Sequence, residues 1–491
     1  MSTVTKRTSQ SHPLDIAEVR AGAGFGRIGI TFCPGKKQPQ GMTGCWDRDV
    51  PIDVERIRRW GAAVVVTLVE QHELETLEVT KLGAEVERRH MEWLHLPIAD
   101  VSIPGSDFEL AWDLHGEGLR ARLRDGFDVL VHCKGGLGRA GMIAARLLIE
   151  LGVKADDAVQ MVRTVRPGAI ETPRQLEYVR RCAFIPEPRP LADTEEVLDR
   201  AKGALIGLAV GDAVGTTLEF KSRDSYPPLT DMVGGGPFRL EAGQWTDDTA
   251  MALALAESLI DGGGLDTADL MHRFVEWRDK GAYSCTGSCF DIGNTVTAAL
   301  NRWTGTGDPI AGSTNPMSAG NGSLMRLAPV AARYWRDRSM LATVAADQSR
   351  TTHAATEAVA SCVAFADMLA DAIEGRPRSE VLRPRNGDYP PAIASILAGS
   401  WRTKPRDDVQ SSGYVAHSLE AALWSIGRTA DFRSAILTAA NLGGDADTTA
   451  AITGQLAGAL YGLSAIPREW LARLAWRERI ESLARQLADP S

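Results

Sequence analysis

The chain has 491 residues, of which 44% are hydrophobic and 24% are charged, and its formal net charge is -9. This composition is typical of globular proteins, and the length exceeds that of one ordinary hydrophobic core, so we expect two domains. The acidic balance excludes a protein that binds nucleic acid through a general basic surface. A nucleic-acid substrate is compatible with this net charge, although the charge does not indicate one.

The sequence also predicts where the protein resides. Residues 1–13 are polar and lack the apolar run of a secretory signal, and no segment approaches the roughly 20 apolar residues that cross a bilayer. Seven cysteines, an odd number spread over a long chain, do not resemble a disulfide framework. We therefore expect a cytoplasmic protein with no membrane partner.

The first part of the chain alternates short β-branched segments with helical ones. Two segments, 62–69 and 127–132, are typical of buried parallel strands. The predicted helices are 53–60, 73–87 and 140–151. This order predicts an α/β domain with a central, mostly parallel sheet over residues 15–183.

The second part has a different pattern. Three prolines at 184–191 predict a linker over 184–193, because proline continues neither a helix nor a central strand. From 194 to 491 Ala-rich helical segments dominate, which predicts an all-α domain and a multidomain protein as a whole. The predicted helices are 194–213, 249–261, 267–280, 354–373, 416–426, 448–461 and 469–487.

Glycine recurs at intervals of four residues in two of these helices. The positions are Gly203, Gly207, Gly211 and Gly215 in the first helix, and Gly454, Gly458 and Gly462 near the end of the chain. Residues four apart share one helix face, so each stripe forms a ridge without side chains that another backbone can approach closely. Because each glycine disfavours a helix by roughly 1 kcal/mol relative to alanine, the stripes predict tight packing around a site.

A cysteine loop follows the second predicted strand of the first part. Cys133 and Arg139 are separated by five residues, three of them glycine, and a helical segment follows. Backbone amides of such a loop, the helix N-terminus and a guanidinium all favour a bound phosphate and a nucleophilic thiolate. The alternative interpretation is a simple glycine-rich turn between strand and helix.

This loop resembles that of the protein tyrosine and dual-specificity phosphatases, most closely the kinase-associated phosphatase group. The resemblance implies that Cys133 attacks phosphorus, Arg139 holds the phosphate oxygens and Asp100 protonates the leaving oxygen. The phosphate-binding residues would be Lys134, Gly135, Gly136 and Gly138. One departure is Ala140, because these enzymes usually carry a hydroxyl there that helps the thiolate to leave. Turnover by this domain is therefore open.

Two acidic clusters precede helices in the second part. The first is Thr-Asp-Asp-Thr at 246–249, and the second is Asp-Ala-Asp-Thr-Thr at 445–449. Either cluster alone is a good helix N-cap. If the two helix starts converge, their carboxylates and hydroxyls form the oxygen-only ligand set that Mg²⁺ or Mn²⁺ prefers over Zn²⁺. Such a set would repel itself strongly without cations.

These clusters stand within an ordered series of motifs that resembles the ADP-ribosylglycohydrolases, which include the dinitrogenase reductase-activating glycohydrolase. The series covers nearly the whole second part. Its members lie at 203–215, 219–220, 244–249, 289–293, 320–326, 352–353, 411–420 and 441–449. The resemblance implies an all-α fold around a site for two Mg²⁺ ions, with Mn²⁺ as an alternative.

The resemblance also implies individual roles. Thr246, Asp247 and Asp248 would bind one ion, and Asp445, Asp447 and Thr448 the other, with some carboxylates shared. Glu219 and Asp291 are the candidates for acid and base work at the scissile ribose bond, and which of them is the base stays open. The substrate-binding candidates are Asn321, Gly322, Ser323 and Met325 for the diphosphate, and His353 for the adenosine end.

Two functional hypotheses follow. The favoured hypothesis is a bifunctional hydrolase that cleaves an ADP-ribose glycosidic linkage with Mg²⁺ and removes phosphate through the cysteine loop. Its substrates would be an ADP-ribose-bearing molecule (a protein, a nucleic acid or a small molecule) and a phosphate-bearing one, and whether the two domains share a substrate stays open. The alternative is a regulatory protein that binds ADP-ribose and phosphate with little turnover.

Overall fold

The structure is a computed structural model that describes residues 6–41 and 44–489. The chain divides between Glu187 and Pro188 into two compact units, which we call the N-terminal unit and the C-terminal unit. The division falls inside the proline-rich stretch 184–191. Over the described residues no helix is both long and apolar enough to cross a bilayer.

The N-terminal unit is built on a five-stranded sheet in the order β1-β2-β7-β5-β6, in which only the β1–β2 pair is antiparallel. A separate hairpin joins β3 to β4. The strands are β1 Ala17–Val19, β2 Ile28–Phe32, β3 Lys37–Gly41, β4 Gly44–Asp47, β5 Ala62–Thr67, β6 Glu92–His95 and β7 Asp128–Cys133. The predicted α/β class and mostly parallel sheet are confirmed.

The described residues of this unit also form seven α-helices. They are α1 Val50–Trp60, α2 Gln71–Thr76, α3 Leu82–Glu87, α4 Ser106–Arg124, α5 Gly138–Glu150, α6 Ala155–Val165 and α7 Pro173–Arg181. The prediction of one helix over 73–87 is wrong, because the chain forms α2 and α3 there. Glu78 between them has a φ of 55°, the left-handed conformation that ends a helix.

The position of β7 explains where the cysteine loop lies. All six residues of β7 are buried, as are all six of the neighbouring β5. Continuous apolar runs of this kind are expected for parallel strands covered by helices on both faces. The strand ends at Cys133 and α5 begins at Gly138, so the loop lies at the carboxyl edge of the sheet, where ligands of open parallel sheets bind.

The C-terminal unit is mainly helical, as predicted. Its α-helices are α8 Thr194–Gly215, α9 Asp247–Asp261, α10 Thr267–Lys280, α11 Asn294–Thr306, α12 Ala328–Tyr334, α13 Arg338–Thr352, α14 Thr356–Glu374, α15 Arg378–Val381, α16 Pro391–Leu397, α17 Val415–Arg428, α18 Phe432–Ala440, α19 Ala446–Tyr461, α20 Arg468–Arg473 and α21 Arg477–Ala488. The prediction of one helix over 469–487 is wrong. Trp476, with a φ of 57°, separates α20 from α21.

The glycine stripes pack α8 against α19 in an antiparallel crossing. Gly203 lies against Gly458, Gly207 against Gly454, Gly211 against Ala450 and Gly215 against Ala446. The predicted ridge is therefore present on both helices, although Gly462 lies just beyond α19, with a φ of 81°. This close approach places the C-terminal turns of α8 beside the first turn of α19, where the second acidic cluster lies.

A single added methyl group tests this packing. A Cβ atom on Gly454 would overlap with the carbonyl oxygen of Gly207, so both backbones would have to move apart. We expect Gly454→Ala to lower the free energy of unfolding by more than about 3 kcal/mol, the upper range for overpacked cores. Urea unfolding followed by circular dichroism measures this.

The matched control is Gly305→Ala in α11. Apart from the adjacent residues and the backbone of the same helix, no atom of the described residues lies within 4 Å of a Cβ at Gly305. This variant is expected to gain up to about 1 kcal/mol, because alanine favours a helix over glycine. Equal stability of the two variants would contradict a role of the glycine ridge in packing.

Candidate active sites

The two acidic clusters of the C-terminal unit meet where α8, α9 and α19 come together. α9 begins at Asp247, α19 begins at Ala446, and Asp212 lies near the end of α8. Asp212 receives hydrogen bonds from the backbone N–H groups of Thr246, at 2.9 Å, and Thr249, at 3.0 Å. It therefore fixes the start of α9. The sequence did not show whether the starts of α9 and α19 converge. The close packing of α8 and α19 along the glycine ridge allows them to do so.

The carboxylates group across the two motifs. Possible ligand atoms of Asp212, Asp248 and Asp447 lie within 4.8 Å of one another, as do those of Glu219, Asp445 and Asp447. Asp447 belongs to both groups. The family resemblance implied one motif for each ion, with some carboxylates shared, and no metal role for Asp212. Spacing in the sequence does not reveal which side chains of different helices face each other.

The remaining predicted ligands lie at the same place. The hydroxyl of Thr246 is 2.9 Å from Asp212 Oδ1 and 3.3 Å from Asp248 Oδ2. The hydroxyl of Thr448 is 3.4 Å from Asp248 Oδ2. Asp247 is 7% exposed and lines the cavity described below. The structure therefore brings all six predicted ligands into one region.

Burial makes this cluster electrostatically unstable on its own. Burial and then the neighbouring carboxylates raise the pKa of Asp247, Asp248 and Asp447 well above the usual value. Oδ1 of Asp248 is buried and has no hydrogen-bond partner among the described residues. An orphaned carboxylate oxygen among oxygen donors suits a hard divalent cation, so these residues fit a Mg²⁺ or Mn²⁺ site.

Glu219 and Asp291 lie beside the cluster. Glu219 Oε2 accepts a hydrogen bond of 2.8 Å from the backbone N–H of Ala446 and so caps α19. Burial, and to a smaller extent the charges of Asp445 and Asp291, raise the pKa of Glu219 to about 7. Burial raises the pKa of Asp291 to about 6.

A cavity of about 580 Å³ opens onto these carboxylates. Of the predicted substrate-binding residues, Asn321, Gly322, Met325 and His353 line it. His353 is 2% exposed, and burial lowers its pKa to about 3, so it is a neutral imidazole. The amide nitrogen of Asn321 donates to Asp445 Oδ2 at 2.6 Å, a link between cavity wall and carboxylate cluster that the sequence did not reveal.

Ser323 is placed differently from its prediction. Its side chain is fully buried, its hydroxyl is 2.8 Å from that of Ser349, and it does not line the cavity. The expectation that this hydroxyl faces the diphosphate is therefore wrong. Ser323 instead packs the loop that carries Asn321 and Gly322 against α13.

Three phenylalanines stand next to the candidate acid and base, and sequence reasoning missed their grouping. Phe220, which lines the cavity, follows Glu219, and Phe290 precedes Asp291. Phe238 lies between them, with ring centroids 6.3 Å from Phe220 and 5.1 Å from Phe290. Phe220 is 67% exposed and has a φ of 61°, an unusual conformation for a bulky residue.

In the N-terminal unit, Cys133 lies at the base of its loop. It is 3% exposed, and the backbone N–H of Gly136 donates to its sulfur at 3.2 Å. The neighbouring His132 is fully buried, and burial lowers its pKa to about 3. The predicted loop residues Lys134, Gly135, Gly136 and Gly138 follow in this turn and at the start of α5.

Arg139 is held by two carboxylates. Its guanidinium donates to both carboxylate oxygens of Glu73, at 2.6 and 3.0 Å, and lies 2.9 Å from Asp100 Oδ1. Burial alone would raise the pKa of Glu73, but the hydrogen bonds from Arg139 and from the backbone of Glu70, together with the charges of Arg139 and Lys134, lower that pKa. The structure therefore brings the three predicted residues Cys133, Arg139 and Asp100 together and adds Glu73, which no sequence pattern had indicated.

The folds and sites define a two-domain hydrolase, with a carboxylate-lined cavity in one unit and a Cys-x5-Arg loop in the other. A model of the ADP-ribosylglycohydrolase family matches residues 193–491. The chain belongs to this family. A model described as "Swiss Army Knife protein, DSP-PTPase phosphatase domain" matches residues 44–179, so the N-terminal unit carries a phosphatase domain of that class.

Individual proteins agree with this assignment. ADP-ribosylarginine hydrolase Tri1 of Pseudomonas putida is 48% identical over 319 residues, which cover 65% of this chain and 83% of the relative. ADP-ribosyl-[dinitrogen reductase] glycohydrolase of Rhodospirillum rubrum is 36% identical over 285 residues, 57% of this chain and 91% of the relative. A solved "ADP-ribosylglycohydrolase-related protein complex" is 42% identical, covers 60% of this chain and 98% of its own, and has a TM-score of 0.54.

Proposed function

We propose that the C-terminal unit hydrolyses the glycosidic bond between ADP-ribose and an arginine side chain, with Mg²⁺ as cofactor. The observation that carries this proposal is the buried carboxylate cluster beside Glu219 and Asp291 on the wall of one cavity. In the same proposal the N-terminal unit removes phosphate from the same or a related substrate in the cytoplasm.

Asp212, Asp248 and Asp447 would hold one ion, and Asp445 with the shared Asp447 would hold the other. The hydroxyls of Thr246 and Thr448 and the carboxylate of Asp247 complete the oxygen set. When bound, Mg²⁺ neutralises these charges and acts as a Lewis acid toward ribose hydroxyls and water. Mn²⁺ has the same ligand preference and is the expected substitute.

Glu219 and Asp291 would share the proton transfers of the reaction. Cleavage at the anomeric carbon passes through a state with oxocarbenium character, so one group must activate water and another must assist departure of the acceptor. Two carboxyl groups on the wall of one cavity meet that need. Asn321, Gly322 and Met325 would contact the diphosphate, and His353 would bind as a neutral imidazole near the adenosine.

Arginine as the acceptor is supported by the cluster of Phe220, Phe238 and Phe290. A guanidinium is attracted both to an aromatic face and to nearby carboxylates. Phe220 lines the cavity together with Glu219 and Asp291, and the rings of Phe238 and Phe290 continue from it. The relative from Pseudomonas putida is an ADP-ribosylarginine hydrolase, which agrees with this chemistry.

The phosphatase reaction would use the N-terminal loop. The thiolate of Cys133 attacks phosphorus, and Asp100 gives its proton to the departing oxygen. Arg139 and the loop amides neutralise the transferred phosphate oxygens. Water then attacks the phosphocysteine, its proton passes to the Asp100 carboxylate, and the sulfur leaves with the electron pair.

A panel of substrates tests the proposal. Purified protein is incubated with ADP-ribosylated arginine, ADP-ribosylated serine and an ADP-ribosylated nucleic-acid end, each with Mg²⁺, with Mn²⁺ and with a chelator. We expect ADP-ribose release from the arginine conjugate only, with metal only. Release from another conjugate alone would refute the arginine assignment, and release in the chelator would refute the metal. Tight binding of ADP-ribose without any product would favour the regulatory alternative.

A further inference from the structure

Lys36 is a buried lysine that lies against the cysteine loop. The Cys-x5-Arg pattern of the phosphatases gives this lysine no role. It is 4% exposed, and its ammonium lies over the rings of Phe32, at 4.9 Å, and Trp46, at 5.0 Å. Over residues 6–41 and 44–489, no Asp or Glu oxygen comes within 4.0 Å of Lys36 Nζ. A buried charge without a counter-ion is costly, so its retention calls for an explanation.

The ammonium faces the loop itself. Lys36 Nζ donates to the carbonyl oxygen of Lys134, the residue after Cys133, at 3.2 Å. Arg166 holds the next two carbonyls in the same way, with 3.5 Å to Gly135 and 3.0 Å to Gly136. Three consecutive carbonyls are therefore bound to cationic side chains on the outside of the loop. This leaves the loop amides free to face inward, as that of Gly136 does toward Cys133.

The strongest favourable interactions of the Lys36 ammonium are with two thiols. The nearby Arg48 is compensated by the buried Asp53, at 2.7 Å. The thiol of Cys33 interacts with Lys36, but burial raises the pKa of Cys33 strongly and keeps it neutral. The other thiol that interacts with Lys36 is Cys133. Burial lowers the pKa of Lys36 to about 8, which leaves it mostly charged at neutral pH.

We propose that Lys36 is a positioning residue that stabilises the Cys133 thiolate as the leaving group of the second phosphatase step. In that step the oxygen of water bonds to phosphorus, the P–S bond breaks with its electron pair on sulfur, and Asp100 takes the proton. The sulfur needs charge or hydrogen bonds to hold this pair. Gly136 supplies one hydrogen bond and Ala140 supplies none, so the ammonium of Lys36 supplies the charge.

The test uses the full chain and p-nitrophenyl phosphate, and it rests on the proposed phosphatase activity. Lys36→Gln keeps a hydrogen-bond donor toward the Lys134 carbonyl and removes the charge. We expect kcat to fall about tenfold or more, with a burst of p-nitrophenol that reveals accumulated phosphoenzyme. Adding Ala140→Ser to this variant supplies the hydroxyl that similar phosphatases usually carry at this position and is expected to recover most of kcat.

The matched control is Lys37→Gln, the same change at the next residue, whose side chain is 45% exposed and paired with Glu78 at 3.5 Å. It is expected to leave kcat unchanged. A Lys36→Gln variant that behaves like this control, or a loss of kcat without a burst and without rescue by Ala140→Ser, would overturn the proposal.

A second variant leaves Lys36 in place, so that the conclusion does not depend on the folding of Lys36→Gln. If the ammonium already stabilises the thiolate, Ala140→Ser alone changes kcat by less than about threefold. A gain of about tenfold or more would mean that thiolate departure is unassisted in the natural protein, and the proposal would be wrong. Absence of any phosphatase activity in the natural protein would instead refute the proposed function of this unit.

Discussion

Asp248→Asn is expected to abolish metal-dependent release of ADP-ribose and, in the metal-free protein, to raise the melting temperature. Burial and then the charges of Asp212 and Asp247 raise the pKa of Asp248 well above its usual value, so its ionised form opposes folding. Asparagine has the same shape without the charge. The same change removes a ligand atom, so we expect a loss of activity of at least about a thousandfold.

The stability gain should be about 1 kcal/mol, or about 2 to 4 °C for a domain of this size. Scanning calorimetry with a chelator measures it, and repeating the scan with Mg²⁺ should show stabilisation of the natural protein and little of the variant.

The matched control is Asp371→Asn, which separates the effect of charge repulsion on stability from the effect of burying a carboxylate. Asp371 is also buried, but it accepts hydrogen bonds from Arg383 at 2.6 Å and Arg385 at 2.8 Å. Asp371→Asn should therefore lower the melting temperature and leave metal binding intact. If Asp248→Asn were destabilising in the chelator, or still bound Mg²⁺, the acidic cluster would not be a metal site of the proposed kind.

Local sequence patterns predicted the parts of both sites that lie on one segment. The Cys133 loop and the helix starts at Asp247 and Ala446 are encoded by contiguous residues, because caps and tight turns depend on near neighbours. The glycine stripes of α8 and α19 predicted close packing for the same reason. The all-α and α/β classes followed from periodicity over whole segments.

Contacts between distant segments escaped this reasoning. Glu73 binds Arg139 across 66 residues, and Asp212 joins Asp248 and Asp447 from a third helix. Neither pairing has a local signature, since each depends on how helices pack. The helix breaks at Glu78 and Trp476 were missed because left-handed non-glycine residues are held by surrounding structure rather than by propensity. The prediction that Ser323 binds the diphosphate failed because spacing within a loop does not tell which side chains face the cavity.

Cys133→Ser is expected to abolish phosphatase activity and leave ADP-ribose release unchanged. A serine hydroxyl is far less acidic than a thiol, so it supplies almost no anionic nucleophile at neutral pH, and we expect a loss of at least about a thousandfold. The change is nearly isosteric, and the donor from Gly136 can bond to the new oxygen. Release of phosphate from p-nitrophenyl phosphate and of ADP-ribose from the arginine conjugate are measured on the same preparation.

Cys182→Ser is the matched control, because Cys182 is a partly buried cysteine of the same unit whose thiol donates to the carbonyl of Tyr178. It should leave both activities intact. Retained phosphatase activity in Cys133→Ser would show that the nucleophile is another group. Simultaneous loss of ADP-ribose release would show that the two reactions depend on each other. Selective loss of one activity, together with the opposite selectivity of Asp248→Asn, would establish two independent hydrolytic centres on one chain, since each variant changes a side chain at only one of them.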